Sequence, residues 1–547
     1  MSGTPEDVRK SRVEATSAGY DVVVVGGGVN GCGIAWDASL RGLRVLLVEK
    51  GDLGSGTSSW SSKMIHGGLK YLEKYDVGLV RESLREREWL LRAAPHLVKE
   101  LRFVLPYYKN GSHSAAILSL GMLAYDVLSF DKSVHRFNLM TRGQILRREP
   151  GLNPEGLQGG AVYSDAQVNY AERMTLEIAQ AAMRAGAEVL THVRAVQLNR
   201  EGGRVTSVDV RDEISGVEVR VPTRYVVNAA GPWIDEVWKN KDELRLPRMN
   251  GGTKGTHMVV NPFPGAPKDA FYYDSEDGRP MMVIPWLGRY LIGSTDLRFE
   301  GDLDMASASQ EEWDYILHET NKVIPSAKLT MDDVQYSFTG VRPLPYKDEA
   351  SDVSDITRRH DIRTHPGIEG LYTLVGGKLT TFRQVGEDMG DILAKNFGIT
   401  RRSVTRNLAL PGGGRKDLDV LRRDVDTPQL APKVLDRLVD QYGTAAPALV
   451  GFITSTEERR RVLDEDFGLT VGEVEWALTR EEAYRLADVI ARRTMIGVEN
   501  DLGVGVLEDV ADICARVLGW DSERRNAELA AYRHYITRFS PTKEAQA

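Results

Sequence analysis

Cysteine is nearly absent from this 547-residue chain: Cys32 and Cys514 are the two present, and neither belongs to a C-x-x-C pair. A disulfide framework, an iron–sulfur cluster, a structural zinc and a dithiol relay all lack their ligands, so no metal is expected. Such sparse thiol use suits a reducing cytoplasm. A basic excess is missing too. The net charge is −8, which argues against a nucleic-acid partner. A small anionic substrate stays open, because a few Arg and Lys can focus field inside a cleft. No hydrophobic run is long enough to span a bilayer. The longest uncharged stretch, Asn110–Tyr125, ends at Asp126 and is short for a spanning helix. Its apolar residues, Ala115 to Leu123, fit either a buried helix or a surface that dips into a membrane. Residues 1–19 are polar, carry no signal-peptide core and read as a disordered arm.

What is present is a globular balance of 42% hydrophobic and 27% charged residues, in a chain long enough for two or three domains. Val22–Val25 reads as a buried parallel strand, Gly26, Gly28 and Gly31 as a G-x-G-x-x-G turn, and Ile34–Leu40 as a helix. Val45–Val48 then reads as a second strand ending at Glu49. Each part has a physical task in binding a dinucleotide. Gly26 permits the turn, Gly28 lets the backbone approach a pyrophosphate, and Gly31 brings helix and strand together. The helix N-terminus presents N–H groups and a positive dipole end to the phosphates. Glu49, about 20 residues on, can accept hydrogen bonds from a ribose. Lys50 and Val193, the latter before the strand-like run Arg194–Leu198, are assigned to the same cofactor.

Strands and helices alternate from residue 20 to about 395. Strand-like runs include Arg102–Leu105, Tyr225–Asn228, His257–Val260, Met281–Ile284 and Leu371–Val375; helical patterns cover Gly78–Ala94 and Tyr170–Ala185. After Pro411–Gly414 helical patterns dominate, at 415–424, 431–442, 444–452, 456–466, 470–479, 480–495 and 505–518. The expected organisation is α/β plus α. A Rossmann-like, two-dinucleotide-type cofactor domain with an inserted mixed-sheet substrate subdomain fills 20–395, and an all-helical cap domain fills 396–547.

Two further units favour FAD over a nicotinamide. The buried run Thr223–Asn228 leads into Ala229-Ala230-Gly231-Pro232-Trp233, a strand end that resembles those of two-dinucleotide flavoproteins. Leu371–Val375 runs into Gly376-Gly377-Lys378-Leu379-Thr380-Thr381 and a helical pattern from Phe382. That second strand–glycine–helix unit offers N–H groups to the pyrimidine edge of a flavin, which gains negative charge on reduction.

Several segments in register then resemble the FAD-dependent glycerol-3-phosphate dehydrogenases of the bacterial aerobic and mitochondrial type. They are Gly56–Glu73, Ala230–Trp233, Lys254–His257, Gly293–Asp296, Gly340–Leu344, Ile356–Arg358 and Gly376–Thr381. The resemblance implies oxidation of sn-glycerol 3-phosphate to dihydroxyacetone phosphate by hydride transfer to FAD, with a quinone as acceptor. It also implies Arg342, with Arg358 and Lys378, as the phosphate-binding cations, and His66 ahead of His257 as the general base. Tyr71 and Lys70 are assigned to substrate; Lys70 stands where many relatives have Arg, which exchanges a bidentate fork for a point charge. Thr57, Ser58, Ser59, Ser61 and Lys63 are assigned to the cofactor, with Ala230, Gly231, Trp233, Gly376, Gly377, Lys378, Leu379 and Thr380. Family enzymes reach their quinone at the membrane surface, so Ala115–Leu128, Arg459–Val462 and Arg492–Met495 are candidate contacts for a cytoplasmic, peripheral protein. A homodimer stays open. The competing readings are a glycerol-3-phosphate oxidase that releases peroxide, an amine- or amino-acid-oxidase-like flavoenzyme, and a flavin-binding module without catalysis.

Overall fold

The computed structural model describes residues 4–69, 72, 76–109, 115–347, 358–414 and 417–539, without the side chains of 115–119. The cofactor domain is built on a parallel ladder. Strand Tyr20–Val25 lies between Val45–Val48 and Glu218–Asn228, with Glu188–Leu190 and Ile368–Val375 continuing the ladder outward. Val22, Val23 and Val24 are completely buried, which explains a continuous apolar run where a half-exposed strand would alternate. Val22 and Val24 pack with helices Val29–Leu40, Ala171–Arg184 and Phe382–Phe397. On the other face, Val23 and Val25 meet an antiparallel layer formed by Val193–Glu201, Arg204–Asp212 and the start of Glu218–Asn228.

The second sheet is mixed and carries His257 and Arg342. Thr253–Val260 pairs antiparallel with Arg289–Gly293 and with Val334–Arg342. The sheet continues through Pro280–Trp286, Ala270–Asp274 and Val98–Tyr108 to Leu157–Val168, the Ala270–Asp274 to Val98–Tyr108 step being parallel. Register puts Thr253 opposite Arg342 and His257 opposite Phe338.

From Leu418 onward the chain is mainly helical, with helices Pro432–Tyr442, Ala446–Thr454, Val471–Arg480, Leu507–Leu518 and Ser522–Thr537. One short ladder, Val462–Asp464 against Leu469–Thr470, interrupts the expected all-helical pattern. Nor is 480–495 one helix: Glu482 takes a left-handed φ of 56° and Val489–Arg493 forms a π-turn. The turn brings consecutive arginines onto one carboxylate. Arg492 and Arg493 contact Asp52 at 2.5 and 2.7 Å, and Asp488 joins Arg492 to His192 at 2.9 and 2.8 Å. Asp52, Asp488 and Arg493 are all fully buried, so this cluster fastens the helical region to the loop after Glu49.

Two expectations are corrected. The arm expected at 1–19 contains a docked helix, Pro5–Glu14, closed by a Thr4/Asp7 capping box with proline in its first turn. Arg9 is buried against Asp212, and Arg12 bridges Glu188 to Glu482; these ion pairs, with the fully buried Val13, hold this polar segment down. The basic run Arg492–Met495 cannot meet a membrane, since its arginines are consumed by Asp52. The segment Ala115–Leu128 is a helix whose Met122 and Tyr125 are buried, whereas Leu120, Leu123 and Val127 are exposed. Among the described residues no helix is long and apolar enough to cross a membrane.

Removing Asp52 strands the buried Arg493 guanidinium and leaves Arg492 with Asp488 alone, a change worth about 3–5 kcal/mol. Asp52→Ala is expected to lose that much stability in denaturant unfolding; a loss under about 1 kcal/mol would show the cluster to be dispensable.

Candidate active site

A cavity of about 490 Å³ opens where the first strand, Ala229–Trp233 and Gly377–Leu379 converge. Its size and mixed lining suit a cofactor. The glycine turn shapes one wall. Gly26 sits at φ 111°, and a Cβ on Gly31 would lie 1.9 Å from the Gly26 carbonyl oxygen, so helix and strand close only around glycine. Gly28 is the N-cap of helix Val29–Leu40 and lines the cavity. Ser58 Oγ accepts the Val29 N–H at 3.0 Å, fixing the loop 55–61 over this helix start.

Glu49 ends the second strand and its carboxylate accepts the N–H groups of Gly27 at 2.6 Å and Gly51 at 2.8 Å. Burial raises its pKa, while those backbone donors oppose the rise. The carboxylate thus holds both loops and still faces the cavity, which Lys50 and Val193 also line. Lys50 pairs with Asp304 at 2.7 Å and lies over the Trp233 ring. Thr57, Ser61, Ala230 and Gly231 also line the cavity, as do Gly377, Lys378 and Leu379.

The donor set fits FAD. Asn30 Oδ1 and Trp233 Nε1 are buried without a protein partner, and both residues line the cavity. Gly377 sits at φ 95°, and a Cβ there would lie 2.7 Å from the Asn30 amide nitrogen, so backbone conformation and contact with that side chain both favour glycine at the second turn. Polar atoms left unsatisfied at such a position are expected to be paired by a bound group.

Some assigned residues act behind the wall. Ser59 is buried and donates to Gly54 O at 2.5 Å. Thr380 Oγ1 accepts the His66 N–H at 3.3 Å, and Gly376, at φ 80°, packs on the Arg359 carbonyl. Lys63 is a correction. Its ammonium is buried against Glu172 at 2.5 Å and Ser59 O at 2.7 Å, turned away from the cofactor cavity.

The two histidines have different surroundings. His66 is half-buried beside Asp165, Lys378 and Arg358; desolvation, reinforced by the two cations, pulls its pKa to about 4 against the opposing pull of Asp165. His257 is bound through Nε2 to Ser62 Oγ at 2.8 Å and stacked on Phe338. Burial, with Arg342 and Lys63 nearby, takes its pKa to about 3. Both imidazoles are therefore neutral at physiological pH.

A carboxylate not assigned from sequence joins the arginines. Asp296 receives Arg342 Nη1 at 2.9 Å, Arg358 Nη2 at 3.3 Å and Thr253 Oγ1 at 2.6 Å. Arg342 also donates to Ser294 Oγ and Thr295 O. Both guanidinium groups are thereby fixed while remaining partly exposed. Lys378 donates to Ser83 Oγ at 2.9 Å, and burial, assisted by Arg358, depresses its pKa to about 7 despite Glu82. Lys70 and Tyr71 lie outside the described residues. Asp296 stood within a quoted motif, whereas Asn30, Ser83 and Asp165 gave no distinguishing signal in the sequence.

Residues 21–387 match the family described as FAD dependent oxidoreductase, and residues 403–525 match that described as the C-terminal domain of alpha-glycerophosphate oxidase. A Synechocystis protein named glycerol-3-phosphate dehydrogenase is 41% identical, the match covering 96% of this chain and 97% of that protein. An aerobic glycerol-3-phosphate dehydrogenase of Staphylococcus saprophyticus is 32% identical over 93% and 92%. The crystal structure of glycerol-3-phosphate dehydrogenase from Bacillus halodurans complexed with FAD superposes with a TM-score of 0.82 at 26% identity, covering 100% of this chain and 99% of that one. A ten-residue-scale motif match could arise from the fold alone, but agreement along the whole length does not. The chain belongs to the FAD-dependent glycerol-3-phosphate dehydrogenase family.

Proposed function

We propose that the protein oxidises the C2 alcohol of sn-glycerol 3-phosphate to the ketone of dihydroxyacetone phosphate and passes the electrons to a quinone. The observation that carries the substrate reading is the Arg342–Asp296–Arg358 fork beside His66 and Lys378. Two fixed guanidinium groups suit bidentate binding of phosphate oxygens. Bound FAD supplies the hydride acceptor. Gly28, Ser58, Glu49, Asn30 and Gly377 are the residues assigned to hold it.

His66 is assigned as the base that accepts the C2 hydroxyl proton at a ring nitrogen, since it neighbours the phosphate-binding cations. His257 is assigned a supporting role, with one nitrogen committed to Ser62. A pKa near 4 is low for a general base at neutral pH. A dianionic phosphate seated against Arg358 and Lys378 offsets the two charges that depress it, so substrate binding brings His66 toward the working range. The same event raises Lys378, keeping that ammonium charged in the complex.

The acceptor and the membrane rest on separate observations. Leu120, Leu123, Val127 and Phe130 form an exposed apolar face, of the kind that lies in a bilayer interface, and a membrane-surface position gives access to a lipid-soluble quinone. The match of residues 403–525 to a domain described for alpha-glycerophosphate oxidase favours oxygen as the second reading. Stoichiometric peroxide with no gain from added quinone would select it.

Positioning can supply about 7–11 kcal/mol of barrier reduction and a general base about 10²–10⁴-fold. Arg342→Ala is therefore expected to lower kcat/KM for glycerol 3-phosphate at least as far as His66→Ala. Near-normal kcat/KM in Arg342→Ala would remove the phosphate clamp. In pH profiles, kcat/KM is expected to fall as pH rises through about 7, where free-enzyme Lys378 loses its proton. The acid side also contains the substrate's second ionisation, near 6, so the alkaline side is diagnostic. Lys378→Arg should abolish that decline; an unchanged alkaline limb would detach Lys378 from substrate binding. Liposome flotation tests the apolar face: Leu120→Asp/Leu123→Asp should stay in the soluble fraction while the unsubstituted protein floats, and equal flotation would refute this contact.

A further inference from the structure

The cofactor cavity is closed in part by the far end of the chain. Tyr535 and Arg538 line it, although both lie beyond the matched segments 21–387 and 403–525. Helix Ser522–Thr537 delivers them. The chain end is then seated on the substrate sheet, with the Ser337 N–H donating to Phe539 O at 2.8 Å. The Phe539 ring packs on Trp60 at 4.9 Å and on Tyr535 at 5.3 Å. Trp60 itself lines the cavity.

Arg538 is a cation without a carboxylate. Its guanidinium donates to two backbone carbonyls, Asp304 O at 3.1 Å and Ala306 O at 3.2 Å, and lies over the Trp60 and Phe539 rings. Among the described residues no carboxylate lies within ion-pair distance of it; Asp304, the nearest acid by sequence to those carbonyls, is taken by Lys50. Burial pulls its pKa below the usual arginine value, opposed by Tyr535 and Asp304. The half-buried guanidinium is only partly compensated by these carbonyls and by the field of Asp304, and a bound anion would offset the rest of its desolvation cost. The two carbonyls satisfy part of the planar fork and leave further N–H donors. Asp304 and Ala306 line the same cavity as Gly28 and Val29 of the glycine turn.

We infer that Arg538 is a cofactor-binding residue, placed by the C-terminal helix on the wall of the FAD cavity, where it would supply positive charge to the pyrophosphate of the dinucleotide. The helical region is in this way part of the dinucleotide site and retains the cofactor. The inference depends on FAD binding alone, not on the substrate or the acceptor.

The test is titration of the apoprotein with FAD, followed by quenching of flavin fluorescence, in Arg538→Ala, Arg538→Gln and Arg538→Lys. Loss of a charge-assisted contact is expected to raise the Kd for FAD about tenfold or more in the first two. The lysine variant should recover most of the affinity, and the dependence of Kd on salt should be shallower in the alanine and glutamine variants. Glutamine keeps a donor for the carbonyls but no charge. Wild-type affinity in Arg538→Gln would therefore reduce Arg538 to a structural hydrogen bond, and unchanged affinity in Arg538→Ala would overturn the inference outright. Digestion by carboxypeptidase at low protein concentration guards against undocking: variants as resistant as the unsubstituted protein retain the seated chain end. If all three substitutions undock it, Phe539→Ala, which loosens the seat and leaves the guanidinium in place, must also weaken FAD binding, and failure to do so contradicts the retaining role.

Discussion

Closeness of backbone is the constraint on which this structure depends. A Cβ at residue 31 would fall 1.9 Å from the carbonyl oxygen of Gly26, and one at residue 377 would fall 2.7 Å from Asn30. The first separation excludes a side chain and Gly377 sits at φ 95°, where one is strained, so two glycine turns on distant segments define the floor and the wall of one cleft. Parallel pairing makes the convergence possible. Strands Tyr20–Val25, Glu218–Asn228 and Ile368–Val375 share a direction and a register, and their ends arrive at the same rim of the sheet. Cofactor crevices of open parallel sheets lie at such carboxyl ends.

Charge is distributed with equal economy. Buried ion pairs that fasten elements together, such as Arg9 with Asp212 and Arg493 with Asp52, are enclosed and fully matched. Around the proposed substrate position the balance differs: Arg342, Arg358 and Lys378 converge, and Asp296 is shared between two of them. One carboxylate can orient two guanidinium groups without cancelling both charges. The surplus is what a dianion meets, and it adds to the desolvation that holds His66 neutral in the free protein.

Much of the cofactor domain was legible in the sequence because its signals are local. The strand–glycine–helix order at 22–40, the acid at 49 and the second turn at 376–381 each report a backbone need within a few residues. The roles of Asp296, Arg538 and Lys63 were not legible, because each depends on partners far along the chain. Lys63 meets Glu172, and Arg538 meets carbonyls at 304 and 306. Strand Val334–Arg342, which positions Arg342, alternates Tyr336, Phe338 and small residues and gave no continuous apolar run. The docked N-terminal helix did carry a signal, Thr4-Pro5-Glu6-Asp7, but a polar segment held by buried ion pairs resembles a solvated arm in composition.

The central claim is that a cationic pocket presents a phosphorylated polyol to a bound flavin. Anaerobic titration of the flavin-loaded protein with sn-glycerol 3-phosphate tests it most directly. Bleaching of the flavin absorbance at one equivalent, with no bleaching by glycerol or sarcosine at the same concentration, is the expected result. A flavin that stays oxidised with glycerol 3-phosphate, or is bleached equally by all three compounds, would contradict the claim.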